Sequence, residues 1–235
     1  DWSSDVCSSD LPGESSVKAT MIRNSFPSAA IAVVGFVALL GGCDANAAMS
    51  HTGPELFANN CAPCHGPDGA GLAYANAPAI AGLPEWYVNT QVSGFRAGHR
   101  GSNYDDIQGM RMRPMALTLG DDSEVAAVAA YVATLPRVKT AATLEGGDAA
   151  KGAASFVTCT ACHGADGKGN ETLGAPPLAG ANDWYLLTQL KNFKSGVRGA
   201  AAGDTRGATM RPMAATLADE QAMKDVIAHI GTLPI

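Results

Sequence analysis

Cys61-Ala62-Pro63-Cys64-His65 recurs 98 positions later as Cys159-Thr160-Ala161-Cys162-His163. Two cysteines separated by two residues and followed directly by a histidine have the spacing that attaches c-type haem. Each thiol can add to one vinyl group of the porphyrin, and the histidine then lies under the iron as its proximal ligand. A structural zinc would need four ligands from paired half-sites. A thiol–disulfide exchange motif would need a βαβ setting. Neither alternative accounts for a histidine at the same place in both motifs. Cys61, Cys64, Cys159 and Cys162 are therefore expected to hold two haems, with His65 and His163 on the irons.

The likeness extends well beyond the motifs. Between Cys61–Pro136 and Cys159–Pro234, 34 of 76 positions are identical without a gap. Trp86-Tyr87, Gln91, Phe95 and Arg100 return as Trp184-Tyr185, Gln189, Phe193 and Arg198. Met112-Arg113-Pro114-Met115-Ala116 returns as Met210-Arg211-Pro212-Met213-Ala214. The chain thus holds two copies of one domain, expected at 48–136 and 148–235, joined by a linker at 137–147. Two units are too few for a solenoid.

Helical patterning dominates each copy. Short helices at 54–60 and 148–157 lead into the two motifs. A second helix begins near Glu85 and carries Trp86, Tyr87, Val88, Gln91, Val92 and Phe95, whose recurring spacings of three and four put apolar residues on one face, and Gly98 and Gly196 stop its two versions. A last helix runs from Asp121 or Asp122 to Thr134, opened by acidic residues that suit a helix N-terminus. The Gly- and Pro-rich stretches 66–84 and 98–114 read as loops. No alternation is long enough for a sheet, so the fold class is all-α.

Methionines are the candidates for the opposite face of each iron. Met110 aligns with Ala208 and drops out as a shared ligand. Met112 and Met210 both follow their histidine by 47 residues, and Met115 and Met213 by 50. Met112 and Met210 are preferred, because the Arg- and Pro-flanked segment reads as a loop able to hang over a haem face, whereas Met115 suits packing before the last helix. A thioether favours ferrous iron and raises the potential. It also closes the last coordination position, which suits an electron carrier and not a peroxidase. Ligating histidines regularly donate their second ring nitrogen to a carbonyl, and Pro78 and Pro176, equally spaced from the motifs, are the candidates. Arg100 and Arg198 either pair with haem propionates or are solvated. His51, His99 and His229 do not repeat and receive no ligand role.

Of six cysteines, four lie in the motifs, Cys7 falls in the leading segment and Cys43 in the export signal, so none is left for a structural disulfide. Residues 1–20 read as a non-native or upstream segment. From Met21 to Ala47 the chain reads as an export signal, with Ala29–Leu40 its apolar core, too short for a spanning helix. Leu40-Gly41-Gly42-Cys43 resembles a lipobox that would lipidate Cys43 and tether the protein to a membrane, and Ala45-Asn46-Ala47 is an alternative cleavage site. Either exit places the domains in the bacterial periplasm, with the inner membrane as the anchor in the first case. The charge balance, 16 basic against 22 acidic residues, argues against nucleic acid and suits an acidic face that steers a basic redox partner.

The paired Cys-x-x-Cys-His-Gly motifs, Pro78 and Pro176 before Ala-Gly, the Trp-Tyr…Gln…Phe helices and the Met-Arg-Pro-Met-Ala segments together resemble the dihaem class I cytochromes c of the cytochrome c4 type. The resemblance covers residues 50 to 235. It implies two tandem class I cytochrome c domains, each a few helices around a covalent haem, with Met112 and Met210 as axial ligands. It also implies single-electron transfer in a respiratory chain, from a quinol-oxidising or dehydrogenase complex to a terminal oxidase or reductase. The alternative is a dedicated subunit of a periplasmic dehydrogenase.

Overall fold

The structure is a computed structural model that describes residues 51–235. The expectations for residues 1–20, the signal at 21–47 and Cys43 lie outside the described residues. The described chain belongs to one compact unit, Asn46–Ile235. Among the described residues, helices and loops make up everything but two isolated β-bridges, Leu72 with Ala77 and Asn170 with Ala175.

In the first copy, α1 is a composite helix of an α-turn Gly53–Leu56, a π-turn Phe57–Cys61 and an α-turn Ala62–His65. It is followed by α2 (Glu85–Arg96), α3 (Ile107–Leu117) and α4 (Asp122–Thr134). The second copy repeats this as α5 (Ala149–His163), α6 (Asp183–Ser195), α7 (Thr205–Ala215) and α8 (Glu220–Ile230). The helix leading into each motif therefore runs on through it and ends on the histidine, further than the patterning suggested.

The π-turn has a cause in the sequence. Gly53 and Phe57 correspond to Gly152 and Phe156 at an offset of 99, not 98, so the first copy carries one extra residue before Cys61. A π-turn bonds i to i+5 and absorbs a single extra residue without breaking the helix, as Ala62 N–H donating to the Phe57 carbonyl does here. Phe57 stays in the core, 2% exposed, edge-on to Tyr131 at 5.3 Å. Phe156 packs likewise against His229 at 5.1 Å, which gives that unrepeated histidine a packing role.

Helices α1 and α4 cross in the first copy and α5 and α8 in the second. Val125, Val128 and Val132, spaced three and four apart on α4, are buried against Leu56, Phe57, Val92 and Phe95. Phe156, Leu187, Met223, Val226, Ile227 and Ile230 form the second core. The crossing is close because of a missing side chain: a Cβ on Gly152 would sit 1.8 Å from the Asp225 carbonyl oxygen, and one on Gly53 would sit 2.4 Å from that of Ala127.

The expected loop at 98–114 is corrected. Its second half is α3, and the equivalent stretch of the second copy is α7. Asp106 and Asp204 cap these helices by accepting from Gly109 N–H at 3.1 Å and Gly207 N–H at 2.9 Å. An aspartate three residues before the accepted N–H is an N-cap signal, present at the same offset in both copies. Pro114 and Pro212 lie inside the helices. Each lacks the N–H that would close on the carbonyl four residues earlier, which is why the segment read as irregular.

Candidate functional site

His65 and His163 are the last residues of α1 and α5, and both are buried. The loop that follows folds back over each imidazole. Gly71 N–H donates to the His65 carbonyl at 2.8 Å and Ile80 N–H to Gly69 at 2.8 Å. Gly71 has φ 87°, and a Cβ there would meet Ala79 N at 2.6 Å, so only glycine lets the loop close. This closure puts the Pro78 carbonyl 2.8 Å from His65 Nδ1. In the second copy the Pro176 carbonyl lies 2.8 Å from His163 Nδ1.

A carbonyl only accepts, so each Nδ1 carries the hydrogen. Burial holds both imidazoles below the ordinary value, outweighing the opposite pull of the carbonyl. Near pH 7 both rings are neutral, and each Nε2 keeps a free lone pair. Cys61, Cys64, Cys159 and Cys162 are free thiols. Burial pushes the Cys61 thiol up to about 11, and burial followed by Cys162 pushes Cys159 up. Exchange thiols have lowered values that favour thiolate, so Cys61 and Cys159 do not fit redox exchange. Among the described residues no three His, Cys, Asp or Glu side chains converge as a metal cluster.

Both motifs face one continuous cavity of about 770 Å³. Its walls are largely apolar and include Ile80, Val92, Leu119, Leu178, Leu190 and Leu217. Helices α3 and α7 bring Met112, Met115, Met210 and Met213 to it, so both methionine pairs line the space, and Met112 packs against the first core.

Arg100 and Arg198 are not solvated, at 8% exposure each. Arg100 lies over the Phe95 ring at 4.3 Å and Arg198 over Phe193 at 4.5 Å. Each also reaches across the boundary between copies. Arg100 donates to Gln91 at 2.8 Å and Gln189 at 3.3 Å, and Arg198 donates to Gln189 at 2.6 Å and Gln91 at 2.8 Å. The Nε of both arginines is buried without a partner. Two buried cations held by neutral amides call for anions nearby. The glutamines were visible in the repeat but carried no role in the sequence reading. What could have flagged them is their fixed spacing of nine before the arginine in both copies.

These features fit haem. Each half offers two thiols, an oriented imidazole lone pair, a thioether on another helix, apolar walls and orphaned guanidinium donors for acidic substituents.

Comparison with known proteins agrees. The cytochrome c family model matches twice, at residues 50–136 and 149–234. A thiosulfate dehydrogenase electron acceptor of Stutzerimonas stutzeri is 33% identical over 85% of this chain and 94% of its own length. The cbb3-type cytochrome c oxidase subunit FixP of Bradyrhizobium diazoefficiens is 34% identical over 69% of this chain, which spans 58% of that subunit. The crystal structure of reduced cytochrome c4 from Pseudomonas stutzeri superposes with a TM-score of 0.60 at 29% identity, covering 77% of this chain and 97% of that one. The chain belongs to the cytochrome c family, as a dihaem protein of the cytochrome c4 type with two covalently bound c-type haems.

Proposed function

We propose that this protein is a periplasmic electron carrier that takes single electrons from a quinol-oxidising or dehydrogenase complex and passes them to a terminal oxidase or reductase. The observation that carries the reading is the paired site. Two imidazoles, each oriented by a proline carbonyl, and two thioether-bearing helices line one shared cavity. The haems supply one-electron iron chemistry when bound. The chain supplies their attachment, their axial groups and the exclusion of water. Met112 and Met210 would supply the second protein ligand to each iron, leaving no position open to a small molecule, which disfavours peroxidase chemistry. Arg100 and Arg198, whose Nε groups are buried without a partner, would receive the propionates. Relatives named as an electron acceptor of thiosulfate dehydrogenase and as an oxidase subunit support redox proteins as partners at both ends.

The lipobox makes Cys43 the anchor to the inner membrane. Among the described residues no helix is long and apolar enough to cross a membrane. Cys43→Ser should release the protein from membranes, and a parent protein found wholly in the soluble fraction would rule the tether out. The function is tested by mass spectrometry and a redox titration followed by absorbance on protein matured in a haem-attaching host. Two covalent additions and two one-electron steps are expected. Rapid turnover of hydrogen peroxide would overturn the reading.

A further inference from the structure

Half of the large hydrophobic side chains most exposed among the described residues fall on one strip. Tyr104 is 86% exposed, Ile107 50%, Met110 36% and Leu117 51%. Ile107, Met110 and Leu117, with exposed Pro114 between them, follow helical spacing along the outer side of α3, and Tyr104 precedes them by three. Scattered single apolar residues on a surface need no explanation, but a contiguous strip marks an interaction site.

The second copy is an internal control. The inner residues of α3 and α7 are the same in both, Met-Arg-Pro-Met-Ala, yet the outer positions become Ala202, Thr205, Ala208 and Ala215. The domain therefore folds without the strip, and only the first copy carries it. Charge differs between the copies in parallel. Residues 51–136 hold eight acidic side chains against four arginines and no lysine, whereas 148–235 hold eight acidic against eight basic.

We infer that the outer face of α3 is the docking site for a redox protein that presents an apolar patch rimmed by lysine and arginine, so that the first domain, not the second, is the electron port to that partner. This rests on the electron-carrier reading above. Met112 lies on the same helix and lines the cavity, so a partner seated on the strip is separated from the cavity by about one helix diameter, roughly 10 Å. Arg111 is exposed on this helix, but the half as a whole carries an acid excess that attracts a basic partner at a distance and disfavours an anionic lipid surface. It also disfavours a second copy docked strip to strip, which would oppose like charges.

The test uses the dihaem protein and a small lysine-rich cytochrome c as the reduced probe, mixed by stopped flow at graded ionic strength. The variant Ile107→Thr/Met110→Ala/Leu117→Ala installs the residues of the second copy. It should transfer electrons about tenfold more slowly than the parent, with both reduction potentials and the haem spectrum unchanged. The parent rate should fall as salt rises. Val157→Thr, which removes an exposed apolar residue of the second domain outside the cavity, should leave the rate as it was. The proposal is overturned if the triple variant matches the parent, if the Val157 variant slows equally, or if salt raises the rate. Binding to phosphatidylglycerol vesicles, or dimerisation, that is lost in the triple variant overturns it in favour of lipid or a second copy. Failure of the parent to show two one-electron steps in the titration sinks the carrier reading instead.

Discussion

Arg198 Nη2 donates to Gln91 Oε1 across the boundary between the two copies at 2.8 Å. Gln91 also accepts from Arg100 of its own copy, so one amide oxygen serves both buried guanidinium groups. Gln189 does the same from the other side, with bonds from Arg198 and Arg100. Gln91→Leu should therefore strip an acceptor from both arginines at once. Leaving buried charged donors unsatisfied costs about 1–3 kcal/mol or more. Denaturant unfolding of the dihaem protein should show the loss, and Gln91→Glu, which restores an acceptor and adds a counter-charge, should recover it. Equal midpoints for parent and Gln91→Leu would mean that this lattice contributes little.

Met112→Ala and Met210→Ala should each remove the thioether-to-ferric-iron charge-transfer absorbance of one haem and lower one potential, since the thioether favours ferrous iron. Met115→Ala and Met213→Ala should leave that absorbance in place. The reverse pattern would move the ligands three residues along α3 and α7.

Gly152→Ala should destabilise the second domain, because its Cβ would lie 1.8 Å from the Asp225 carbonyl, a backbone atom that cannot rotate away. Overpacking of this kind costs about 1–3 kcal/mol, and more where backbone must move. Gly53→Ala should do the same at the α1–α4 crossing. Unchanged thermal midpoints in both would show that the helix pairs slide apart at no cost.

Asp225 ties the start of α5 to α8. Its carboxylate accepts from Asp148 N–H at 2.8 Å and from Gln221 at 2.8 Å, and these bonds, the backbone one first, hold its pKa below the ordinary carboxylate value. The unfolded chain then binds this proton more readily than the folded one. The stabilisation is complete above the ordinary carboxylate pKa and is lost as pH falls through the lower folded-state value. Asp225→Asn should flatten the acid limb of a stability–pH curve measured by denaturant unfolding. An acid limb identical to the parent's would assign the dependence to other carboxylates.

The cofactor and its copy number were legible in the sequence because thioether attachment needs residues adjacent in the chain, and two Cys-x-x-Cys-His motifs state that chemistry without reference to fold. The amphipathic spacing of α2 and α4 was legible for a similar reason, since neighbours on a helix face are neighbours in sequence. Tertiary structure decided the rest. Pro114 masked α3, because packing and the Asp106 cap outweigh one missing hydrogen bond. The π-turn at Phe57–Cys61 exists because Phe57 must stay in the core while Cys61 keeps its place. Arg100 and Gln189 are 89 residues apart, and only the apposition of two folded domains makes one the partner of the other. Local covalent chemistry is written along the chain, whereas burial of a charge depends on which distant surfaces meet.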